Sequence, residues 1–246
     1  MAENATASLL ARDSLPFPIM IARSLLAGLI VLVTPVSEAA IAQSQLVKRL
    51  GAGEKQVVVA YGTSLTAAGA WVGHLQSALQ KRYPGQAEVI NSGGSGKWSQ
   101  WGVENLDNLV IQKNPDTVFI EFSINDCVAR FGADSELARK NLETMIGRIL
   151  QSRPRCEIIL MTMTPGDAHP VGHKSYRKDI EEHYAMYRRV AKERQLLLID
   201  HYPNWKALQQ KDPEKFRKYI PDGVHPTADA CREVVTPVLL KALGLE

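Results

Sequence analysis

The 246-residue sequence lacks most features that would assign it to a specialised class. Its three cysteines are too few and too scattered for a disulfide framework or a zinc site. Lys and Arg number 29 against 26 Asp and Glu, and this small surplus gives no reason to expect a nucleic-acid partner. With 45% hydrophobic and 22% charged residues, the composition excludes intrinsic disorder and collagen-like or coiled-coil repeats. A soluble globular chain with a sizeable core remains.

No apolar run is long enough to suggest stable membrane insertion. Residues Ser24–Val36 carry no charge, but the run is shorter than the roughly 20 residues that span a bilayer. Arg23 precedes it, and the small residues Ala40 and Ala42 suit a signal-peptidase site. We therefore predict that residues 1–42 are an export signal and that the mature protein is periplasmic or secreted. A buried N-terminal helix or an uncleaved anchor is the alternative.

The rest of the chain alternates short β-branched runs with longer stretches of helical period. This alternation predicts a single α/β domain over residues 53–246, with a five-stranded parallel sheet covered by helices on both faces. Residues 43–52 are predicted to form an N-terminal tail or a short leading helix. The predicted strands are Gln56–Tyr61, Ala87–Asn91, Thr117–Phe122, Glu157–Thr162 and Gln195–Asp200.

Polar residues follow the predicted strands, where ligands bind in open parallel sheets. Ser64 follows the first strand, Gly96 lies in the loop after the second, and Asn125 follows the third. The loop before the C-terminal helix carries Asp222 and His225 in the sequence DGVHP. Four separate loops should therefore bring these five residues to one edge of the sheet.

These residue types suit nucleophilic acyl transfer. A serine hydroxyl needs a base within hydrogen-bond reach and a third group to orient that base, so Ser64, His225 and Asp222 are candidates for a catalytic triad. The backbone N–H groups of Ser64 and Gly96 and the side-chain amide of Asn125 are candidate donors to the oxyanion formed in the reaction.

The order of these motifs resembles the SGNH hydrolases, also called GDSL esterases and lipases. Ser64 matches the first block, Gly96 in VINSGGSG the second, Asn125 in SIND the third, and Asp222 with His225 the last. The resemblance implies a flavodoxin-like three-layer α/β/α fold and hydrolysis of carboxylic esters without a metal or other cofactor.

Two positions depart from the pattern of that family. Thr63 stands where an Asp usually precedes the nucleophile, and Ser123 replaces the Gly usual two residues before the Asn. Neither departure removes a catalytic group, but both leave open a catalytically silent carbohydrate-binding or structural module of the same fold. An O-acyltransferase would use the same residues and also stays open.

Other motifs are weaker. The segment GGSGKW resembles part of a phosphate-binding loop, but Asn91 stands two residues before it where that loop needs Gly, and Trp98 stands where it needs Ser or Thr, so no nucleotide is expected. His169 and His173 are predicted to belong to a substrate loop rather than to a metal site, because Pro170 and Gly172 prevent the helix that would align them.

The expected partner is a small-molecule or polysaccharide ester, while the oligomeric state stays undetermined. An acetylated carbohydrate is the first expectation, because no long apolar lid segment is visible. A lysophospholipid or a thioester comes second.

Overall fold

A computed structural model describes residues 44–246. The predicted export signal at residues 1–42 lies outside these residues. Five strands form one parallel sheet in the order β2-β1-β3-β4-β5. They are β1 Gln56–Gly62, β2 Ala87–Asn91, β3 Thr117–Glu121, β4 Glu157–Thr162 and β5 Leu197–Asp200.

Helices connect the strands and cover the sheet. They are α1 Gln45–Gly51, α2 Ser64–Ala67, α3 Ala70–Arg82, α4 Ser99–Leu109, α5 Ser123–Asp126, α6 Ser135–Ser152, α7 Ile180–Arg194, α8 Tyr202–Lys211, α9 Pro213–Tyr219, α10 Ala228–Ala230 and α11 Thr236–Leu243. Short 3₁₀ turns occupy Ile111–Lys113 and Ala129–Phe131, and a π-helical segment at Cys231–Val235 joins α10 to α11.

Successive side chains of β1 enter two separate cores. Val58 and Ala60 pack on one face of the sheet with α1, α3 and α11, whereas Val59 and Tyr61 pack on the other with α4 and α6. A central strand buried on both faces has no polar side, which explains its continuous apolar sequence. The prediction of a three-layer α/β/α fold with a five-stranded parallel sheet is confirmed.

Two predicted strand ends are shifted by local backbone geometry. Gln195 adopts a left-handed conformation with φ of 54° and ends α7, so β5 begins at Leu197 rather than at residue 195. At the end of β3 the chain leaves the extended conformation at Phe122, because α5 starts at Ser123.

The segment before β1 is a helix rather than a tail. Leu46, Val47 and Leu50 of α1 are buried in the first core. The N–H groups in the first turn of a helix have no acceptor within the helix. Glu157 accepts hydrogen bonds from two of them, those of Gln45 and Leu46. Within residues 44–246, no helix combines the length and apolarity needed to cross a bilayer.

The strand order places two loops side by side. β1 pairs with β2 on one side and with β3 on the other, so the connections leave β1 and β3 in opposite directions. Such a switch point opens a crevice at the carboxyl ends of the two strands. Ser64 begins α2 and is separated from the end of β1 by Thr63, and Asn125 lies in α5 after β3.

Candidate active site

Ser64 is the first residue of α2, at the sharp turn that follows β1. Its Oγ lies 2.7 Å from Nε2 of His225. The His225 Nδ1 lies 2.6 Å from Oδ2 of Asp222. These three side chains form one hydrogen-bonded chain, although Ser64 and His225 are 161 residues apart in the sequence.

The turn at residues 222–225 folds around its own carboxylate. Asp222 Oδ1 accepts hydrogen bonds from the N–H groups of Val224, at 2.9 Å, and His225, at 2.7 Å. Gly223 has a φ of +85°, a conformation in which other L-residues are strained. The three-residue spacing thus lets one oxygen of Asp222 shape the turn while the other meets the imidazole.

The loop after β4 holds this turn in place by donating hydrogen bonds to its carbonyl groups. Thr164 Oγ1 donates to the Val224 carbonyl at 2.8 Å, and Ser175 Oγ donates to the Asp222 carbonyl. Both serine and threonine come from the loop after β4. The position of His225 therefore depends on a loop that sequence reasoning did not connect to the triad.

The protonation states follow from the hydrogen bonds. Burial opposes ionisation of Asp222, but the N–H groups of His225 and Val224 and the imidazole together outweigh it and lower the pKa of the carboxyl. An ionised carboxylate only accepts hydrogen bonds, so Nδ1 of His225 must carry the proton. Nε2 is then free to accept a proton from Ser64.

Three candidate oxyanion donors line the same cleft as the triad. Among residues 44–246, no acceptor is bound to the backbone N–H of either Ser64 or Gly96. Asn125 is buried, and its Nδ2 donates to the Lys97 carbonyl at 2.7 Å, which leaves the second amide hydrogen for another acceptor. Gly96 has a φ of +69°, so backbone conformation accounts for glycine at this position.

A buried carboxyl supports the turn that presents Ser64. Glu121, the last residue of β3, accepts hydrogen bonds at Oε2 from the Thr63 N–H at 3.2 Å and from Thr63 Oγ1 at 2.9 Å. A side chain at Gly62 would come within 2.8 Å of the same carboxyl, so only glycine fits there. Burial raises the pKa of Glu121 to about 8, against the hydrogen bonds from Thr63 that lower it.

A second buried carboxyl joins two of the site loops. Asp126 Oδ1 accepts the N–H of Ser99, the first residue of α4, at 2.8 Å. Burial raises the pKa of Asp126 to about 7, although the hydrogen bonds from Ser99 oppose the change. Since Asn125 binds Lys97 in the same loop, two adjacent residues after β3 fix the loop that carries Gly96.

The cleft above these residues has a volume of about 570 Å³. It is lined by Ser64, Ala68, Ser95, Gly96, Asn125, Val128, Arg130, Lys174, Ser175, Arg177, Asp222, Val224 and His225. The side chains of His225 and Asp222 are 46% and 51% exposed, so water reaches the triad directly. The arrangement has the parts needed for attack of a hydroxyl on an ester carbonyl.

A known protein family matches the sequence of this chain. The model of the GDSL-like lipase/acylhydrolase family matches residues 58–232, well over half of the sequence. The chain belongs to the GDSL-like lipase/acylhydrolase family. The resemblance inferred from the sequence motifs is confirmed, and the protein is a carboxylic-ester hydrolase. No curated protein matches the sequence significantly.

Solved structures share the fold of this GDSL-type hydrolase. The acetylxylan esterase Axe2 from Geobacillus stearothermophilus superimposes with a TM-score of 0.66 at 20% identity, over 78% of this chain and 96% of that one. A protein of Parabacteroides merdae described as a GDSL-like lipase gives a TM-score of 0.68 at 18% identity, over 78% and 97%. LAE5, an α/β hydrolase from the metagenome of Lake Arreo, gives 0.62 at 21% identity, over 78% and 96%.

The structure of this GDSL-type chain explains why threonine occupies position 63, where the family usually has Asp. Thr63 caps α2, since its Oγ1 accepts the N–H of Leu65 at 3.1 Å while donating to Glu121. A carboxylate at this position would face the carboxyl of Glu121. Ser123, the second departure, is buried at the start of α5.

Sequence reasoning missed Glu121 and Asp126 as parts of the site. Glu121 ends the apolar strand β3 and Asp126 follows it, so each could have been noted as a charged residue in a segment expected to be buried. The predicted substrate-loop histidines lie close to the turn that carries Asp222 and His225. The rings of His169 and His173 are 4.0 Å apart, and His169 packs against Gly223 in the turn of Asp222.

Two tryptophans that follow Gly96 pack against other aromatic rings. Trp98 stacks on Phe131 with ring centres 5.0 Å apart, and Trp101 packs against Tyr61 and the second core. Within the part of the chain that the structure describes, no three His, Cys, Asp or Glu side chains converge in a group that could hold a metal ion.

Proposed function

We propose that this protein is an exported serine esterase that removes short acyl groups, above all acetyl, from carbohydrates through an acyl-enzyme intermediate. The observation that carries the proposal is the hydrogen-bonded chain of Ser64, His225 and Asp222 beside the backbone N–H groups of Ser64 and Gly96, which have no acceptor within residues 44–246. Ser64 is the nucleophile, His225 the general base and acid, and Asp222 orients the imidazole.

The reaction has two stages, acylation of Ser64 and hydrolysis of the acyl-enzyme. Ser64 Oγ bonds to the ester carbonyl carbon while its proton passes to His225 Nε2, and the oxyanion takes hydrogen bonds from Ser64, Gly96 and Asn125. The alcohol then leaves with the proton from His225, and an acyl-serine remains. Water attacks this ester after giving a proton to His225, which returns it to Ser64 as the carboxylic acid departs.

The openness of the site favours hydrolysis over acyl transfer. His225 and Asp222 have about half of their side-chain surface exposed, whereas a transferase must exclude water from the acyl-enzyme. Acetyl esters are favoured over lipids because Val171 is the one large hydrophobic side chain exposed among residues 44–246.

The comparison with Axe2 supports the same assignment. Axe2 is an acetylxylan esterase, and its variants with a serine or a histidine replaced by alanine are described as catalytic mutants. At 19% identity the likeness shows a common fold, so the substrate of Axe2 is for this chain a proposal.

The test measures acetate release from acetylated xylo-oligosaccharides and hydrolysis of 4-nitrophenyl acetate. Ser64→Ala should lower kcat by about 10⁵-fold or more. The exposed Ser77 on α3 provides the matched control, Ser77→Ala, which should retain full activity. Equal rates for wild type and Ser64→Ala would refute the esterase proposal and favour a silent module.

The length of the acyl chain and the export signal need separate measurements. Activity on 4-nitrophenyl esters should fall steadily from acetate to longer acyl chains. N-terminal sequencing of exported protein should give a chain starting at Gln43, and a mature chain that begins before Ser24 would contradict cleavage of the signal.

A further inference from the structure

Three cationic side chains line the candidate active-site cleft. They are Arg130, Lys174 and Arg177. None of them forms an ion pair with a carboxylate among residues 44–246. The single carboxylate in the cleft lining, Asp222, is already bound to His225 and to two backbone N–H groups. This cationic cluster gives the cleft a local positive charge that the small net charge of the chain does not reveal.

Arg177 is built into the wall of the cleft. It is only 8% exposed, and the stem of its side chain packs against Gly166, where a Cβ would come within 2.5 Å. Its Nε donates to the Ile124 carbonyl and its Nη1 to the Lys174 carbonyl, both at 2.9 Å. Nη2 makes no hydrogen bond within residues 44–246.

A buried arginine without a carboxylate partner is unusual, because removing a charge from water is costly unless the charge is paired. Burial lowers the pKa of Arg177, and the nearby charge of Arg130 lowers it further. An anion that enters the cleft would supply the missing partner. The guanidinium is fixed in advance by backbone carbonyls, so little side-chain entropy would be lost on binding.

Arg130 approaches the cleft from the side of the oxyanion donors. Its guanidinium lies over the ring of Phe131 at 4.7 Å, and that ring stacks on Trp98. Its Nη2 is 3.4 Å from the carbonyl oxygen of Gly96. Arg130 therefore lies beside Gly96, and Arg177 lies beside Asn125 through its contact with the Ile124 carbonyl.

The cationic cluster also lies where two clefts meet. A neighbouring cleft of about 480 Å³ shares Val128, Arg130, Lys174 and Arg177 with the first and continues to Lys178. A substrate larger than one sugar could therefore extend past the cluster. Both linings share the charges of Arg130, Lys174 and Arg177, which a polar substrate that spans the two clefts would contact.

We propose that the cationic cluster selects acetylated carbohydrates that carry a carboxylate on the sugar, as uronic acids do. This inference rests on the proposed esterase function. An acetyl group has no room for a charge, so the negative group must belong to the alcohol part of the ester. Nε and Nη1 of Arg177 already donate to backbone carbonyls, so Arg177 offers Nη2 to the carboxylate in a charge-assisted hydrogen bond, and the charges of Arg130 and Lys174 add to the attraction.

The experiment compares two substrates that differ in one group: mono-O-acetylated methyl glucuronide and the equally acetylated methyl glucoside. Acetate release should show a kcat/KM about tenfold or more higher for the glucuronide, the effect of one charge-assisted pair, and the difference should lie mainly in KM. The preference should shrink when NaCl rises from about 10 mM to about 500 mM, because salt screens the exposed charges.

Variants assign the preference to the cluster. Arg130→Gln and Lys174→Gln should each reduce the ratio of the two kcat/KM values, and the double variant should reduce it further, leaving only the part that Arg177 provides. Lys211→Gln at the end of α8 removes the same charge elsewhere and should leave the ratio unchanged. Arg177→Lys keeps the charge but loses the guanidinium that the carbonyls of Ile124 and Lys174 hold in place, and its ratio should also fall.

The outcomes separate this inference from the esterase proposal. Equal kcat/KM values for both sugars, with hydrolysis that still depends on Ser64, would overturn the inference alone. A ratio that the double variant does not change would also overturn it. Faster hydrolysis of lysophosphatidic acid than of the glucuronide would replace the carbohydrate with an anionic lipid. Absence of Ser64-dependent hydrolysis on every ester would refute the proposed function itself.

Discussion

Thr63 and Glu121 are joined beneath Ser64 by a hydrogen bond of 2.9 Å between Oγ1 and Oε2. The Thr66 hydroxyl donates to the same oxygen at 3.3 Å. Glu121 is 2% exposed and ends the strand that pairs with β1, so its carboxyl holds the first turn of α2 from inside the protein. Ser64 is thus presented by a turn whose support is a titratable group.

Glu121→Gln should make the free energy of unfolding less dependent on pH. The pKa of Glu121 is raised from 4.5 to about 8, so the folded state keeps the proton while the unfolded state releases it. The stabilisation is complete below pH 4.5 and is lost as the pH rises through about 8. Glutamine does not titrate, so the variant should gain stability relative to wild type over this window.

Denaturant unfolding between pH 5 and pH 9 measures the difference. The unfolding free energy of Glu121→Gln minus that of wild type should increase by up to about 1.4 kcal/mol for each unit by which the pH rises, until the pH reaches the raised pKa of Glu121. Above that pH the difference should level off. Glu88→Gln on the edge strand β2, where the carboxylate is exposed, is the matched control and should give a flat difference. A Glu121→Gln difference that is equally flat would show that Glu121 ionises in the folded protein as it does in the unfolded chain.

Thr63→Asp should destabilise the protein most strongly at alkaline pH. The substitution restores the residue usual in the family but sets a second carboxyl against Glu121, and two carboxylates that share a site cannot both ionise cheaply. We expect a loss of more than about 2 kcal/mol at pH 8 and a partial recovery at pH 5.

The double variant Thr63→Asp with Glu121→Gln tests the cause. Removing one of the two acids should recover most of the lost stability, with a coupling energy on the order of 1–3 kcal/mol in a double-mutant cycle. Additive effects of the two substitutions would mean that the introduced side chain avoids Glu121.

The strands and the five site residues were predictable because they depend on local patterns. An apolar β-branched run such as residues 56–61 predicts a buried strand, and the residue after such a strand reaches the edge where sites form. Asp222 and His225 were predictable because three residues of one turn suffice to join them. These inferences require no knowledge of how distant loops pack.

Glu121, Asp126 and Arg177 were not predictable, since each acts through contacts between distant parts of the chain. The sequence shows charged residues, but their burial depends on which loops cover them. Arg177 reaches the cleft because Gly166 leaves room for its stem and Ile124 offers a carbonyl. Local patterns contain no information about these pairings.

Asp222→Asn should lower kcat by about 10³–10⁴-fold with little change in KM. The amide can donate a hydrogen bond to Nδ1 of His225, which favours the tautomer that carries its proton on Nε2 and cannot accept one from Ser64. Steady-state kinetics on 4-nitrophenyl acetate gives the result. Asp229→Asn, which removes an exposed carboxylate paired with Arg232, is the control and should keep wild-type kcat. A loss of tenfold or less for Asp222→Asn would mean that His225 keeps its tautomer without this carboxylate.

Asn125→Ala should lower kcat by about 10²–10³-fold, because it removes one donor that meets charge only in the transition state. The same substitution also breaks the hydrogen bond to Lys97, so a loss of activity could follow from a displaced loop. Asn141→Ala separates the two effects, since the buried amide of Asn141 donates to Ser99 Oγ at 2.9 Å but does not line the cleft. Both variants should lose thermal stability, and only Asn125→Ala should lose kcat. A comparable fall in kcat for both would assign the effect to the loop and leave the oxyanion to the backbone N–H groups of Ser64 and Gly96.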